Sequence, residues 1–151
     1  RDCLLSRGLG DVYKRQASLF PNDVVLSTDT IVCLDGKIYG KPKDRKDAYN
    51  TLATFSGMTH EVVSGVSIIS KKLNMTMYVK SYVTFKKLTK EMIDDYLKTD
   101  EPYDKAGSYA IQGEGRSLIE GYSGSLDNII GLPIEYIKDM LRVMLNEVEN
   151  R

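Results

Sequence analysis

The dipeptide Asp35-Gly36 constrains this chain more than any other two residues. It stands between the apolar run "TIVCL" and the short return "KIYG". A two-residue type I′ turn needs positive φ at both positions, and Asp-Gly meets that demand. The spacing therefore predicts an antiparallel hairpin, Thr30–Leu34 against Lys37–Tyr39. Val24–Leu26 is apolar too, so the first arm reads as one buried strand interrupted at Asp29. Val62–Ile69 and Met75–Phe85 predict a second, longer hairpin turning near Lys71–Asn74. Asp44 can cap a helix running to about Phe55, with Ala48, Leu52 and Phe55 on one face and Gly57 ending it. Thr89 can cap another, ending near Lys98, with Leu88 and Ile93 as a hydrophobic staple. Pro133 suits the first turn of a last helix, with Ile134, Ile137, Leu141, Met144, Leu145 and Val148 as its stripe. Between them, Asp100 to Gly131 is rich in glycine and polar groups. Short strands are expected there at Ser108–Ile111 and Ser117–Tyr122. The fold class is α/β: a mixed, twisted sheet with helices packed on it.

The bulk composition excludes several functions. Lys plus Arg and Asp plus Glu are equal at 21 each. A general nucleic-acid binder needs a basic excess to displace counterions, so no nucleic-acid partner is expected. No apolar run approaches the roughly 18 residues that span a bilayer. No membrane partner is expected either. Cys3 and Cys33 give neither a zinc spacing nor a disulfide framework. Cys33 falls in an apolar strand pattern and reads as a buried thiol, which fits a reducing, cytoplasmic setting. The first sixteen residues, "RDCLLSRGLGDVYKRQ", show no clean period of 2 or 3.6. They resemble translated sequencing-adapter read-through and are expected to be a non-native tail, a disordered native tail being the alternative. The domain proper is residues 17–151.

Chemistry-bearing residues are few. Asp29 interrupts an apolar run, which is costly unless the acid is paired, hydrogen-bonded or at a site edge. It is either a satisfied residue capping a bulge, or a metal ligand or general base at a strand break. Lys41 lies in the charged run "KPKDRKD" and on its own reads as a solvated charge. Gly40 before it permits close approach, and Pro42 after it restricts its backbone. A lysine so held near a carboxylate suits an anionic, metal-bound substrate. Asp104-Lys105-Ala106-Gly107 repeats acid, base and glycine, though alone it reads as a turn. "QGEG" at Gln112–Gly115 is a weak phosphate-loop signal and not a Walker A loop. His60, the single histidine, reads as structural. Asp94-Asp95 reads as solvated surface.

Taken together, "STDTIVCLDGKIYGKPKD", "LATFSGMTHEVVSGVSI", "YVTFKKLTKEMIDDYLKTDEPYDKAGSYAIQG" and "GSLDNIIGLP" resemble the Maf family of nucleoside triphosphate pyrophosphatases. The segments follow the family's order and spacing from Ala17 to the C-terminal helix. The resemblance implies an elongated α/β fold related to the inosine-triphosphate pyrophosphatases, with two lobes flanking a central nucleotide cleft. It implies Asp29, of the "DT" motif, as proton acceptor, and Lys41, of "GKP", near the phosphates. Thr30 and Gln112, of "IQG", would govern substrate choice. Asp104 and Lys105, of "DKAG", are secondary site residues. The pairing of "DT" with "IQG" looks like the branch that hydrolyses dTTP and UTP to the monophosphate and pyrophosphate. The 7-methyl-GTP branch usually carries glutamine after the acid. A divalent cation, Mg²⁺ or Mn²⁺, is the implied cofactor; its ligands stay open, with Asp29 as a candidate.

The chain departs from the family at its start. The opening strand and the "ASxSPRR" loop that binds the triphosphate are absent, so the fragment itself is expected to be inactive or unstable. The rival reading is a non-enzymatic regulator of septum formation in cell division. A different base preference, such as 7-methyl-GTP, is the lesser rival. Oligomeric state stays open, a homodimer included.

Overall fold

The computed structural model describes residues 18, 19 and 22–149, with the side chains of 147–149 left aside. The tail expected at residues 1–16 lies outside the described residues. Five strands form one sheet: β1 (Val25–Leu34), β2 (Lys37–Tyr39), β3 (Thr59–Ile69), β4 (Asn74–Phe85) and β5 (Ile119–Ser123). Their order is β2-β1-β3-β4-β5, and every pairing is antiparallel. The mixed sheet expected from the sequence is thus a sheet of hairpins among the described residues. Among the described residues from Asn22 on, four helices accompany it: α1 (Arg45–Phe55), α2 (Lys90–Tyr96), α3 (Leu126–Ile130) and α4 (Ile134–Glu149). None is long and apolar enough to cross a membrane.

Local chemistry sets these elements. Asp35 and Gly36 have φ of 51° and 78°, the doubly positive pair that the tight hairpin needs. The Asp44 carboxylate accepts the Asp47 N–H at 2.8 Å and starts α1. The Thr89 hydroxyl accepts the Met92 N–H at 3.2 Å and starts α2. Leu88 and Ile93 join the same core cluster, as a staple requires. Ser125 caps α3 through the Asn128 N–H at 3.1 Å.

Alternation then sorts the sheet into two faces. Val32, Leu34, Val62, Val66, Ile68, Val83 and Phe85 point to the face on which the helices bury their apolar residues. The opposite face carries the Glu61–Lys80 ion pair at 3.4 Å and the exposed rings of Tyr78 and Tyr82.

The helix-covered face holds two separate apolar clusters. The larger joins β1, β3 and β4 to α1, α2 and the Tyr109–Ile119 loop. The smaller joins Val66 and Ile68 to Ile137, Met140 and Met144 of α4. Between Val62 and Val66 on this face stands Ser64, fully buried. The stripe expected on α4 needs correction. Ile134 and Leu145 are 40% and 61% exposed, and Met140, not anticipated, is buried. Val148 lies among the side chains left aside.

Two further expectations are overturned. β1 is unbroken: Asp29 pairs with Gly65 in continuous register from Val25 to Cys33. Its first seven residues are half-buried or exposed, so only the end of the strand is buried. Ser108–Ile111 is not a strand. The chain there runs through short 3-10 turns at Glu101–Asp104, Ala106–Ser108 and Glu114–Leu118. Gly107 and Ser108 both have positive φ, 72° and 61°, which no strand accommodates. A β-carbon on Gly107 would meet Val32 and Phe55 at 3.1–3.3 Å, so glycine lets this turn press on the core.

Candidate active site

A cleft opens where the two clusters part. Its walls are Thr30 and Val32 of β1, Val62 of β3, Lys105 to Gln112 of the 3-10 region, and Ile129 to Gly131 at the end of α3. Its cavity volume is about 150 Å³, and it opens to solvent. The mix of apolar walls with few polar groups is usual for small-molecule sites. Thr30, Lys105 and Gln112 are thereby brought together from positions far apart in sequence.

Lys41 and Asp104 form the rim. The backbone N–H of Gly107 donates to the Gly40 carbonyl at 3.1 Å, tying the "GKP" segment to the "DKAG" turn. Lys41 Nζ then donates to Asp104 Oδ1 at 2.7 Å, and Lys105 Nζ to Asp104 Oδ2 at 3.3 Å. The Lys41 hydrogen bond, then that of Lys105, holds the Asp104 carboxyl below the usual carboxylate range. The pair is open to water, with side chains 65% and 72% exposed, so it is a pliable charge cluster rather than a structural brace. Two ammonium groups sharing one carboxylate leave a net positive rim.

Asp29 stands apart from this cleft. Neighbours in a strand face opposite ways, so Thr30 faces the cleft and Asp29 the other side. Its carboxylate is exposed and has no hydrogen-bond or ion-pair partner among the described residues. The edge of the sheet nevertheless brings it close in topology. β2 covers β1 only at Val32–Leu34, and residues 25–31 have no outer partner strand among the described residues. Tyr39 pairs with Val32, so Gly40 and Lys41 leave the sheet beside that open edge.

Sequence reasoning missed the supports of the cleft. Glu101 is the first. Its carboxylate accepts the Tyr96 hydroxyl at 2.8 Å and the N–H groups of Glu114 and Gly115 at 2.9 and 2.8 Å. Partial burial pushes Glu101 up, but the Gly115 and Tyr96 donors outweigh it and its pKa is lowered. A β-carbon on Gly113 would overlap this carboxylate, so glycine is needed beside Gln112. "QGEG" is therefore clamped by an acid from within and is not a free phosphate loop. Asn128 is the second support. Its Nδ2 donates to the Val62 carbonyl at 3.1 Å and to Ser81 Oγ at 3.0 Å, pinning α3 to the sheet. The only signal in sequence was a polar residue inside "LDNII" and a serine inside "VVSGVSII".

His60 is structural, as expected. It is buried, its ring stacks on Phe55 at 4.3 Å, and Nε2 meets the Tyr109 hydroxyl at 2.8 Å. Burial pushes its pKa down to about 4. The Cys33 thiol is buried. Among the described residues no three of His, Cys, Asp and Glu converge to hold a metal ion. The described donor set does not fit a resident metal cage.

The fold is an antiparallel sheet with one helical layer, parted by a cleft with a basic rim. Comparison with known proteins identifies the family. The family profile described as Maf-like protein matches residues 9–144, and the chain belongs to that family. It is 44% identical over 129 residues to a dTTP/UTP pyrophosphatase of Thermosipho africanus, covering 85% of this chain and 68% of the relative. It is 47% identical over 116 residues to one of Bacillus pumilus, covering 77% and 61%. A third, from Clostridioides difficile, is 46% identical over 128 residues, covering 83% and 66%. The chain thus spans about two thirds or less of the length of most curated relatives it matches.

Proposed function

We propose that this chain carries the nucleotide cleft of a nucleoside triphosphate pyrophosphatase acting on dTTP and UTP. The observation that supports it most is the convergence of Thr30, Gln112 and Lys105 on one cleft, with Lys41 bridged to Lys105 through Asp104 at its mouth. The relatives named dTTP/UTP pyrophosphatase support the substrate class. The base lies against Thr30 and Gln112. The triphosphate runs over the rim, where the two lysines offset its charge. Water attacks the α-phosphorus, the bond to the bridging oxygen breaks, and pyrophosphate leaves. Asp29, reached around the open edge of β1, takes the water's proton. General-base help of this kind is typically worth about 10²–10⁴-fold.

A divalent cation enters with the triphosphate. Mg²⁺ commonly binds through one or two carboxylates plus phosphate oxygens, so no protein-built cage is required. When bound it neutralises charge on those oxygens. A cytoplasmic setting suits the reduced thiol of Cys33.

The test is pyrophosphate release from dTTP, UTP, CTP and 7-methyl-GTP with Mg²⁺ or Mn²⁺. Turnover of dTTP and UTP is expected when a family opening strand and loop is grafted before Ala17, falling about 100-fold or more in Asp29→Asn of that protein with the fold kept. A preference for 7-methyl-GTP would overturn the substrate class. A near-normal rate in Asp29→Asn would remove that residue from the chemistry.

A further inference from the structure

Ser64 is fully buried in the middle of β3 and does not line the cleft. Its hydroxyl lies 2.7 Å from Thr30 Oγ1, directly across the β1–β3 pairing. Thr30 Oγ1 also lies 3.3 Å from the Gly131 carbonyl, and Ser64 Oγ lies 3.5 Å from the Asn128 carbonyl. The two carbonyls can only accept. Each hydroxyl has one proton and two lone pairs.

Two arrangements satisfy this group. In one, Thr30 donates to Gly131 and Ser64 donates to Thr30. In the other, Thr30 donates to Ser64 and Ser64 donates to Asn128. Both send the Thr30 proton into the protein. If Thr30 instead donated to a ligand, neither the Gly131 carbonyl nor Ser64 would receive its proton, and a part-buried hydrogen bond made inside the protein would be given up. The carbonyl cannot swing away to help. Gly131 is fixed at φ 116° with its N–H bonded to the Asp127 and Asn128 carbonyls, and Asn128 is itself pinned to β3 and β4.

We propose that Ser64 is a positioning residue which, with the Gly131 carbonyl, holds the Thr30 hydroxyl as a hydrogen-bond acceptor toward the cleft. Such a site takes a pyrimidine whose ring edge offers an N–H, the imide of uracil or thymine. It disfavours cytosine, whose ring nitrogen at the same place is another acceptor. The inference rests on the nucleotide reading of the cleft given above, and adds to it the group that sets the sign of recognition.

The experiment measures equilibrium binding of non-cleavable α,β-methylene analogues of UTP, CTP and N3-methyl-UTP by calorimetry. The proteins are the chain itself, Thr30→Ser, Thr30→Val and Ser64→Ala, each checked by circular dichroism and thermal melting. The unaltered chain should bind the uridine analogue about tenfold tighter than the cytidine one, the scale of one hydrogen bond. N3-methylation should erase most of that advantage. Thr30→Ser should keep the preference. Thr30→Val should lose it by weakening uridine binding alone. Ser64→Ala removes one of the two internal acceptors of the Thr30 proton and leaves the Gly131 carbonyl as the other, so the preference should narrow about threefold while both analogues still bind. An unchanged preference in folded Ser64→Ala, or equal weakening of both analogues in Thr30→Val, overturns the inference and leaves the cleft reading standing. Binding of no analogue by any folded protein overturns the cleft reading and the inference with it.

Discussion

The two ends of β3 are built differently. From His60 to Val62 the strand faces a cluster that includes Phe55, Phe85, Tyr96 and Tyr109, sealed by two helices and the 3-10 region. From Val66 to Ile68 it faces one helix, and the cluster is rich in methionine: Met75, Met77, Met140 and Met144. Stacked rings with fixed geometry make the first end stiff. Unbranched thioether side chains adapt, which makes the second end compliant. Ser64 divides them, and the cleft opens at that division. The lesson is that both walls of the cleft belong to the rigid part: Thr30 and Gln112 on one side, and on the other Ile129, which packs on the aromatic cluster, and Gly131, held through the Asn128-pinned α3.

Three changes would break or sharpen this contrast. The largest effect is expected from Phe55→Ala, which removes a ring in contact with Tyr39, His60 and Phe85. A loss of about 3–5 kcal/mol in urea unfolding is expected. Met140→Leu in the other cluster should cost less than about 1.5 kcal/mol. Equal costs would erase the difference between the lobes.

The second effect is on pH. His60 belongs to the stiff end, and its pKa falls from 6.5 to about 4 through burial. Between those values the unfolded chain binds more protons than the folded one. Stability is therefore complete above about pH 6.5 and declines as pH drops toward about 4, by up to about 3 kcal/mol. Urea midpoints read across that window should show the slope, and His60→Gln should flatten it. The smallest effect is expected from Asp44→Ala, which removes one cap from α1 at a cost of about 1 kcal/mol. Thermal melting that shows no loss would mean that packing alone holds the helix.

What could be read from sequence was the locally determined part. The Asp35-Gly36 turn, the caps at Asp44 and Thr89, and the long β3–β4 hairpin depend on neighbours within a few residues. Glycine-rich segments were misread where packing decides the backbone. Tyr109 and Ile111 alternate like a strand, yet they are buried from turns set by Gly107 and Ser108. Asp29 signalled something unusual but not its cause, because alternation does not show whether a strand lies at an edge or in the middle of a sheet. The cleft was legible only in part. Thr30, Gln112 and Lys105 were named in advance through family resemblance. Ser64 and Asn128 act through partners 34 to 66 residues away, and Glu101 joins Tyr96, 5 residues back, to the Glu114 N–H, 13 residues on; no local pattern announces such bonds.

The open edge of β1 has a consequence for solubility. Among the described residues, the outer side of residues 25–31 has no partner strand, and the exposed side chains of Val24 and Leu26 flank it. Such an edge templates a further strand from any neighbouring molecule, and charge placed on it is the usual deterrent. Asp29 is the one charged residue in "VLSTDTI". The carboxylate proposed to take a proton from water is thus also the gatekeeper against self-association, and a variant that neutralises it trades away dispersal together with turnover.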